Sequence, residues 1–196
     1  MIRRFLPIAL LAVLALAPPA AAQAPEDATI EDPAAVVWPE PPAPTVPPIV
    51  TGRAVAGVTA RLRADGKAAV PIGAPKRVRR VIAAANEIVG KPYKWGGGHA
   101  KVFDRGYDCS GAVSYGLVRT GLLAYPLDSR LFMRYAAAGV GRWLTIYTSR
   151  GHAYMEVAGL RLDTSPISGF EHREGVRWRE PIGKRPGFRA RHLPGL

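Results

Sequence analysis

The sequence predicts an α+β domain in which N-terminal helices pack on one face of an antiparallel β-sheet. Residues 76–139 carry apolar side chains at helical spacing, whereas residues 142–193 contain short segments rich in β-branched and aromatic residues. The turns "SRG" and "AG" between the first three of these segments are short, which favours an antiparallel meander. Helices followed by strands are the order typical of an α+β domain.

Three helices are predicted in the first half of this domain. The first lies in "KRVRRVIAAANEIVG" and is expected to end at Gly90. The second begins at Cys109 or just before it, with Asp108 as its N-cap. The third lies in "PLDSRLFMRYAAAG", with Asp128 or Ser129 as its cap and the final glycine of that stretch as its stop.

Five strands are predicted after the helices, and a smaller unit is predicted before them. The strand segments are "RWLTIYT", "HAYMEVA", "LRLDTS", "GVRWRE" and "GFRARHL". Residues 52–75 contain the pair Asp65-Gly66, which suits a tight hairpin turn, so we expect an arm or hairpin on the main domain. A flexible linker is the alternative for this stretch, and the main domain is expected to span residues 76–196.

The N-terminus resembles a secretory signal peptide of residues 1–22. Two arginines precede an apolar stretch at residues 5–17, followed by a run of small residues. A membrane-spanning helix needs about 20 apolar residues, so a permanent anchor is the weaker interpretation. Residues 23–51 are rich in proline and acidic residues, which predicts a semi-stiff linker; a recognition motif for a partner is the alternative. We therefore expect an exported protein with no integral membrane segment in the mature chain.

Cys109 is the only cysteine of the chain, so an intramolecular disulfide is excluded. The count alone leaves two interpretations, a small buried side chain and a reactive thiol. At the start of a helix, unpaired backbone N–H groups and the helix dipole favour the thiolate. The same N–H groups can stabilise an oxygen that becomes negative when a carbonyl carbon is attacked.

A thiolate nucleophile needs a base, and His152 is the best placed of four histidines. It follows a glycine at the head of a predicted strand, from which its side chain can reach a neighbouring helix terminus. His99, in "WGGGHAK", is the second choice, whereas His172 and His192 lie in charged segments. Asp163 on the next strand can orient His152, or it can stabilise the turn before the following proline. One cysteine and scattered histidines show no metal-ligand spacing, so no metal site is expected.

Two segments together resemble a known family. The stretch "KPYKWGGGHAKVFDRGYDCSGAVSYGL", followed by "RGHAYMEVAGLRLDTSP", is similar to the NlpC-type cell-wall endopeptidases, bacterial cysteine peptidases with a compact papain-like fold. The similar segments lie within residues 76–166. The pattern combines Pro-Tyr, a glycine pair, Asp-Cys-Ser-Gly at a helix start and Gly-His at the head of a central strand.

The resemblance implies a role for each matching residue. Cys109 would be the nucleophile and His152 the general base, with Asp163 at a third position where the family more often has histidine. Tyr93 resembles the tyrosine that assists the oxyanion hole, and Asp108 and Ser110 resemble residues lining the pocket for the amine-bearing end of the substrate. Such enzymes cut peptidoglycan stem peptides, typically between the γ-carboxyl of D-glutamate and the next diamino acid, without a cofactor.

One segment departs from the family pattern. The inserted "GHAKVFDRGY" is expected to form a loop beside the cleft, where Tyr107 could contact a ligand. An amidase or acyltransferase on the same fold, and a catalytically inactive wall-binding protein, are the alternatives to an endopeptidase.

The charge of the chain agrees with a role at the cell wall. The formal net charge is +12, and the excess of basic residues lies in residues 76–196, which attracts anionic wall polymers. A solvated basic face is the alternative. Nucleic acid is disfavoured by the predicted export and by the absence of a stacking-aromatic or recognition-helix pattern. We expect a secreted or wall-associated protein, periplasmic where two membranes are present, that acts on peptidoglycan or muropeptides.

Overall fold

The computed structural model describes residues 54–55, 57–166 and 175–196. The predicted signal peptide and linker, and His172, lie outside these residues. The helices are α1 (Lys76–Asn86), α2 (Cys109–Val118) and α3 (Ser129–Phe132). The strands are β1 (Ala54–Val55), β2 (Arg61–Leu62), β3 (Ala68–Pro71), β4 (Ala137–Ala138), β5 (Leu144–Thr148), β6 (Ala153–Val157), β7 (Leu160–Asp163), β8 (Arg177–Arg179) and β9 (Arg189–His192). Within the described ranges, no helix is both long and apolar enough to cross a membrane.

The main sheet has six strands in the order β4-β9-β5-β6-β7-β8, and its strand pairs are antiparallel. The segment β5-β6-β7 is the meander that the short turns predict. The last strand, β9, returns to lie between β4 and β5, a long-range pairing that the local sequence does not indicate. Helices together with an antiparallel sheet make the fold α+β, which confirms the predicted class.

The two longer helices share one hydrophobic core with the central strands. Buried side chains of α1 and α2 belong to the same cluster as those of β5, β6 and β7, among them Val81, Leu117, Ile146, Met155 and Leu162. A Cβ added to Gly116 of α2 would lie only 3.0 Å from Cε of Met155 on β6. The glycine therefore leaves room for the Met155 side chain between α2 and the sheet.

The residues before α1 form a small sheet that is bonded to the main domain. Strand β3 pairs antiparallel with β2 through a turn at Asp65-Gly66 and parallel with β1. At the end of α1, the Asn86 side chain donates to the carbonyl of Ala68 (2.8 Å) and accepts from its N–H (2.9 Å). The same side-chain oxygen accepts from the Trp178 indole at 2.8 Å. Asn86 thus joins β3, α1 and β8.

Two predicted helix ends are wrong. Helix α1 ends at Asn86 rather than Gly90, because the Asn86 side chain is bonded to β3 and β8 and the chain continues in tighter turns. Helix α3 ends at Phe132, far short of Gly139. Arg191 of β9 donates to the backbone carbonyls of residues 134, 135 and 136, which keeps them from continuing the helix. The chain then turns into β4, which pairs with β9.

Candidate active site

Cys109 is the first residue of α2, and the preceding Asp108 caps the helix as predicted. Asp108 has an extended backbone, and its Oδ1 accepts the N–H of Gly111 at 2.6 Å. A Cβ on Gly111 would lie within 2.0 Å of the carbonyl oxygen of Gly97, so only glycine lets the glycine-rich loop pack against the helix. Cys109 is 9% exposed. The tight approach of the loop therefore places a largely buried thiol at the wall of a cleft.

His152 lies between Cys109 and Asp163. Its Nε2 is 3.0 Å from Oδ1 of Asp163, the last residue of β7, and the ring also interacts with Cys109. Burial lowers the pKa of His152, but the hydrogen bonds to Asp163 and Cys109 outweigh burial and raise it to about 9. Burial would raise the pKa of Asp163, yet the bonds from His152 and the Ser165 N–H hold it well below its usual range. The structure thus brings the three predicted residues together as one hydrogen-bonded set.

Three further residues surround Asp163 that sequence reasoning missed. Ser165 donates to Asp163 Oδ1 through its hydroxyl (2.9 Å) and its N–H (3.0 Å), and its Oγ lies 3.1 Å from His152 Nε2. Nitrogens of Arg161 and Arg185 lie 3.4 and 3.7 Å from Asp163 Oδ2. The spacing Asp-Thr-Ser before proline is a turn signal that could have indicated Ser165. Arg185 follows β8, and nothing local connects it with Asp163.

His99, the second choice for the base, belongs to a separate cluster on the other side of Cys109. Its Nε2 lies 3.0 Å from both carboxylate oxygens of Asp108 and 3.2 Å from the Ser110 hydroxyl. The bond to Asp108 raises the pKa of His99, against the effect of burial. The imidazole of His99 is therefore committed to Asp108, whereas His192 bonds to the carbonyl of Gly139 at the far end of the sheet.

Two adjoining cavities meet at Tyr93. One, of about 430 Å³, is lined by Cys109 and the His99 cluster, and the other, of about 250 Å³, is lined by His152 and Ser165. Tyr93 lines both and is 38% exposed. The cleft thus has a side at the start of α2 and a side at the ends of β6 and β7, with the tyrosine between them.

The inserted loop does not present Tyr107 to this cleft, so the expectation of a ligand contact is wrong. The side chain is 0% exposed and packs edge-on against Tyr115. Its hydroxyl donates to the carbonyl of Val102 (2.9 Å) and accepts the N–H of Asp104 (3.0 Å). Tyr107 is buried because it holds its own loop closed.

Comparisons with known proteins find similarity in structure but no match in sequence. No family model matches the chain, and no curated protein matches it. Among solved structures, the chain is similar to the peptidoglycan hydrolase RipB from Mycobacterium tuberculosis, with 20% identity and a TM-score of 0.44. The similar region covers 60% of this chain and 65% of that chain, so this chain spans less than two thirds of its length. A likeness of this extent assigns no function by itself.

Proposed function

We propose that the chain is an exported cysteine peptidase that hydrolyses peptidoglycan stem peptides at the bond between D-γ-glutamate and the diamino acid. The observation that carries the proposal is the contact between Cys109, at the start of α2, and His152, whose Nε2 lies 3.0 Å from buried Asp163. A nucleophile, a base and a group that orients the base are the parts that thiol catalysis requires. The choice of substrate rests on the NlpC-type motifs around Cys109 and His152.

In this proposal His152 first takes the proton of Cys109. The raised pKa of His152, about 9, lets the ring hold that proton at neutral pH. Asp163 stabilises the resulting imidazolium and fixes its orientation, because its side chain is fully buried and bonded to both His152 and Ser165. The product of the step is a thiolate beside an imidazolium, with the positive end of the α2 dipole next to the sulfur.

The thiolate of Cys109 then attacks the amide carbonyl. Asp108 already binds the N–H of Gly111, so the N–H groups of Cys109 and Ser110 are the candidates for stabilising the oxyanion. Tyr93 lines the cavities on both sides, and its role in this proposal is to add its hydroxyl to the oxyanion hole. His152 protonates the leaving amine, and the same ring later removes a proton from the water that hydrolyses the thioester.

The test is digestion of purified peptidoglycan and defined muropeptides with the protein lacking residues 1–22, followed by mass spectrometry of the products. We expect cleavage between the second and third stem residues, and its loss in Cys109→Ala. Release of whole stem peptides from the glycan would instead indicate an amidase. Binding to the wall without any product would indicate a non-catalytic protein.

A matched control separates loss of the nucleophile from loss of the fold. Ser114→Ala changes a small buried residue one to two turns further along the same helix, where its hydroxyl bonds to the backbone of Leu127. This variant should lose some stability and keep the cleavage pattern. If Cys109→Ala cleaves as fast as the wild type, the proposed mechanism is wrong.

A further inference from the structure

The carboxylate of Asp108 in the cavity beside Cys109 is fully occupied by the protein itself. Its Oδ1 receives the Gly111 N–H at 2.6 Å and the Ser110 hydroxyl at 3.1 Å. Its Oδ2 receives the Gly96 N–H at 3.1 Å, and His99 Nε2 is 3.0 Å from both oxygens. A carboxylate offers about four acceptor positions, so Asp108 has none left for an incoming ammonium group.

The same cavity is also lined by basic residues. Arg130 and Arg150 both line it. The start of α3 and the turn between β5 and β6, which carry these arginines, are held together because the Ser129 hydroxyl donates to the carbonyl of Arg150 at 3.2 Å. Two guanidinium groups in one cavity favour a carboxylate or a carbonyl oxygen over a cation.

Asp128 is the second carboxylate among the described residues that line this cavity. Its Oδ1 already accepts the N–H of Leu131 at 2.8 Å, and Arg130 lies two residues further along the chain. The bond to Asp108 also raises the pKa of His99 above its ordinary value, against the effect of burial, which favours an imidazolium paired with that carboxylate. An ammonium group placed there would meet two guanidinium groups and the filled carboxylate of Asp108, and it would gain at most one oxygen of the solvent-exposed Asp128.

We propose that this cavity receives an acylated, uncharged amino end, so that the substrates are N-acyl γ-glutamyl peptides rather than peptides with a free ammonium. Stem peptides still joined to glycan through an amide belong to the first class, and released peptides belong to the second. The inference rests on the proposed function and names its substrate class. Asp108 and Ser110 then position α2 and the glycine-rich loop, instead of binding the substrate amine as the family resemblance implies.

Binding can be measured separately from catalysis with the Cys109→Ala variant of the protein lacking residues 1–22. The two probes are the tripeptide L-alanyl-γ-D-glutamyl-diaminopimelate with a free amino end and the same peptide acetylated there. Titration calorimetry should give an affinity at least about tenfold higher for the acetylated peptide, because the free ammonium would face two guanidinium groups and a carboxylate whose acceptor positions are filled. Equal affinities, a preference for the free amine, or no binding of either peptide would overturn the inference.

Cleavage of the same two peptides by the unsubstituted protein tests the proposed function independently. Selective binding of the acetylated peptide without cleavage of its γ-glutamyl bond would contradict the proposed reaction but would still support the inferred class of ligand. Cleavage of both peptides with a kcat/KM that favours the free amine would support the reaction and overturn the inference.

A second test uses His99→Ala in the Cys109→Ala background, and it should strengthen binding of the free-amine peptide instead of weakening it. Removing the imidazole opens Asp108 to the cavity, so the free-amine peptide should bind several-fold more tightly and the preference should shrink. His192→Ala is the matched control, because His192 bonds to Gly139 outside the cavity and should leave the preference as it is. Circular dichroism confirms that each variant is folded. If His99→Ala keeps the full preference for the acetylated peptide, the bond between His99 and Asp108 is not what prevents Asp108 from binding an ammonium group.

Discussion

Two clusters of histidine, aspartate and serine lie on the two sides of Cys109. On one side His152 Nε2 is 3.0 Å from Asp163, and Ser165 bonds to both. On the other side His99 Nε2 is 3.0 Å from Asp108, and Ser110 contacts both. The residue types are the same and the distances agree to within 0.2 Å, so neither identifies the cluster that does chemistry.

The difference between the clusters lies in burial and in what else each one touches. The side chain of Asp163 is 0% exposed, while that of Asp108 is 13% exposed and caps a helix. Only for His152 does Cys109 contribute to the raised pKa. The comparison teaches that contact with the thiol, and not the His-Asp-Ser set itself, distinguishes a candidate base from a positioning group.

The largest expected difference between the clusters is in turnover. His152→Ala should lower kcat for the acetylated tripeptide by about 10³-fold, because the thiol loses its base. His99→Ala should change it by less than about tenfold, because His99 touches Asp108 and not the reacting atoms. Steady-state hydrolysis measures both. Comparable losses of kcat in the two variants would mean that the functional assignment of the clusters is wrong.

Substitution of Asp163 should lower kcat more than substitution of Asp108, but the difference should be smaller than that between the two histidines. Asp163→Asn should lower kcat by about 10²-fold or more, since the amide cannot stabilise the imidazolium. Asp108→Ala should mainly remove the α2 cap and lower the free energy of unfolding by about 1 kcal/mol. Urea titrations together with kcat values separate the two effects. An unchanged kcat in Asp163→Asn would indicate that Asp163 only stabilises the turn before Pro166.

The pH dependence of stability should also separate the clusters. The pKa of His152 in the folded protein is about 9 against an ordinary value of 6.5, so its contribution to stability is complete below pH 6.5 and is lost as the pH rises toward 9. The free energy of unfolding should fall across this interval by on the order of 2 kcal/mol. Because the pKa of Asp163 is lowered, the same ion pair is also lost at acidic pH, well below the ordinary carboxyl range.

Urea denaturation at several pH values between 6 and 9 measures this slope. His152→Gln should remove most of it, while His99→Gln should remove a smaller part, since the pKa of His99 is raised in the same direction by its bond to Asp108 and by the charges of Asp108 and Asp128. Parallel curves for wild type and His152→Gln would show that the histidine is not held as an imidazolium in the folded state.

The serines should show the smallest contrast. Ser165→Ala removes one hydroxyl that bonds to Asp163 and contacts His152, so kcat should fall by up to about tenfold. Ser110→Ala removes a hydroxyl that contacts Asp108 and His99, and its main effect should be on KM. Measuring kcat and KM separately distinguishes them. Identical changes in the two parameters for both variants would remove the distinction between orienting the base and shaping the cavity.

Much of the fold could be predicted because its signals are local. The start of α2 follows from the Asp-Cys-Ser-Gly sequence, and the β5-β6-β7 meander follows from short turns between alternating segments. The ends of α1 and α3 could not be predicted in the same way. They depend on Asn86 bonding to β3 and on Arg191 binding carbonyls more than 50 residues away in the chain.

In the candidate site as well, residues with a local sequence signal could be predicted and residues that depend on long-range contacts could not. Cys109, His152 and Asp163 were predicted because each lies at a recognisable element end. Ser165, Arg161 and Arg185 around Asp163 were missed, as was the bond that commits His99 to Asp108. Tyr107 was misplaced, because a tyrosine in a polar loop gives no sign that it packs against Tyr115 in the core.

The sequence by itself determined the α+β class, the position of the single thiol at a helix start and the residue types available around it, since these depend on spacing and local capping. The tertiary structure alone decided which histidine contacts Cys109 and which one is bound to Asp108. The physical reason is that both histidines have an aspartate within hydrogen-bond distance, and only the packing of β6 and β7 beside α2 brings one imidazole to the sulfur.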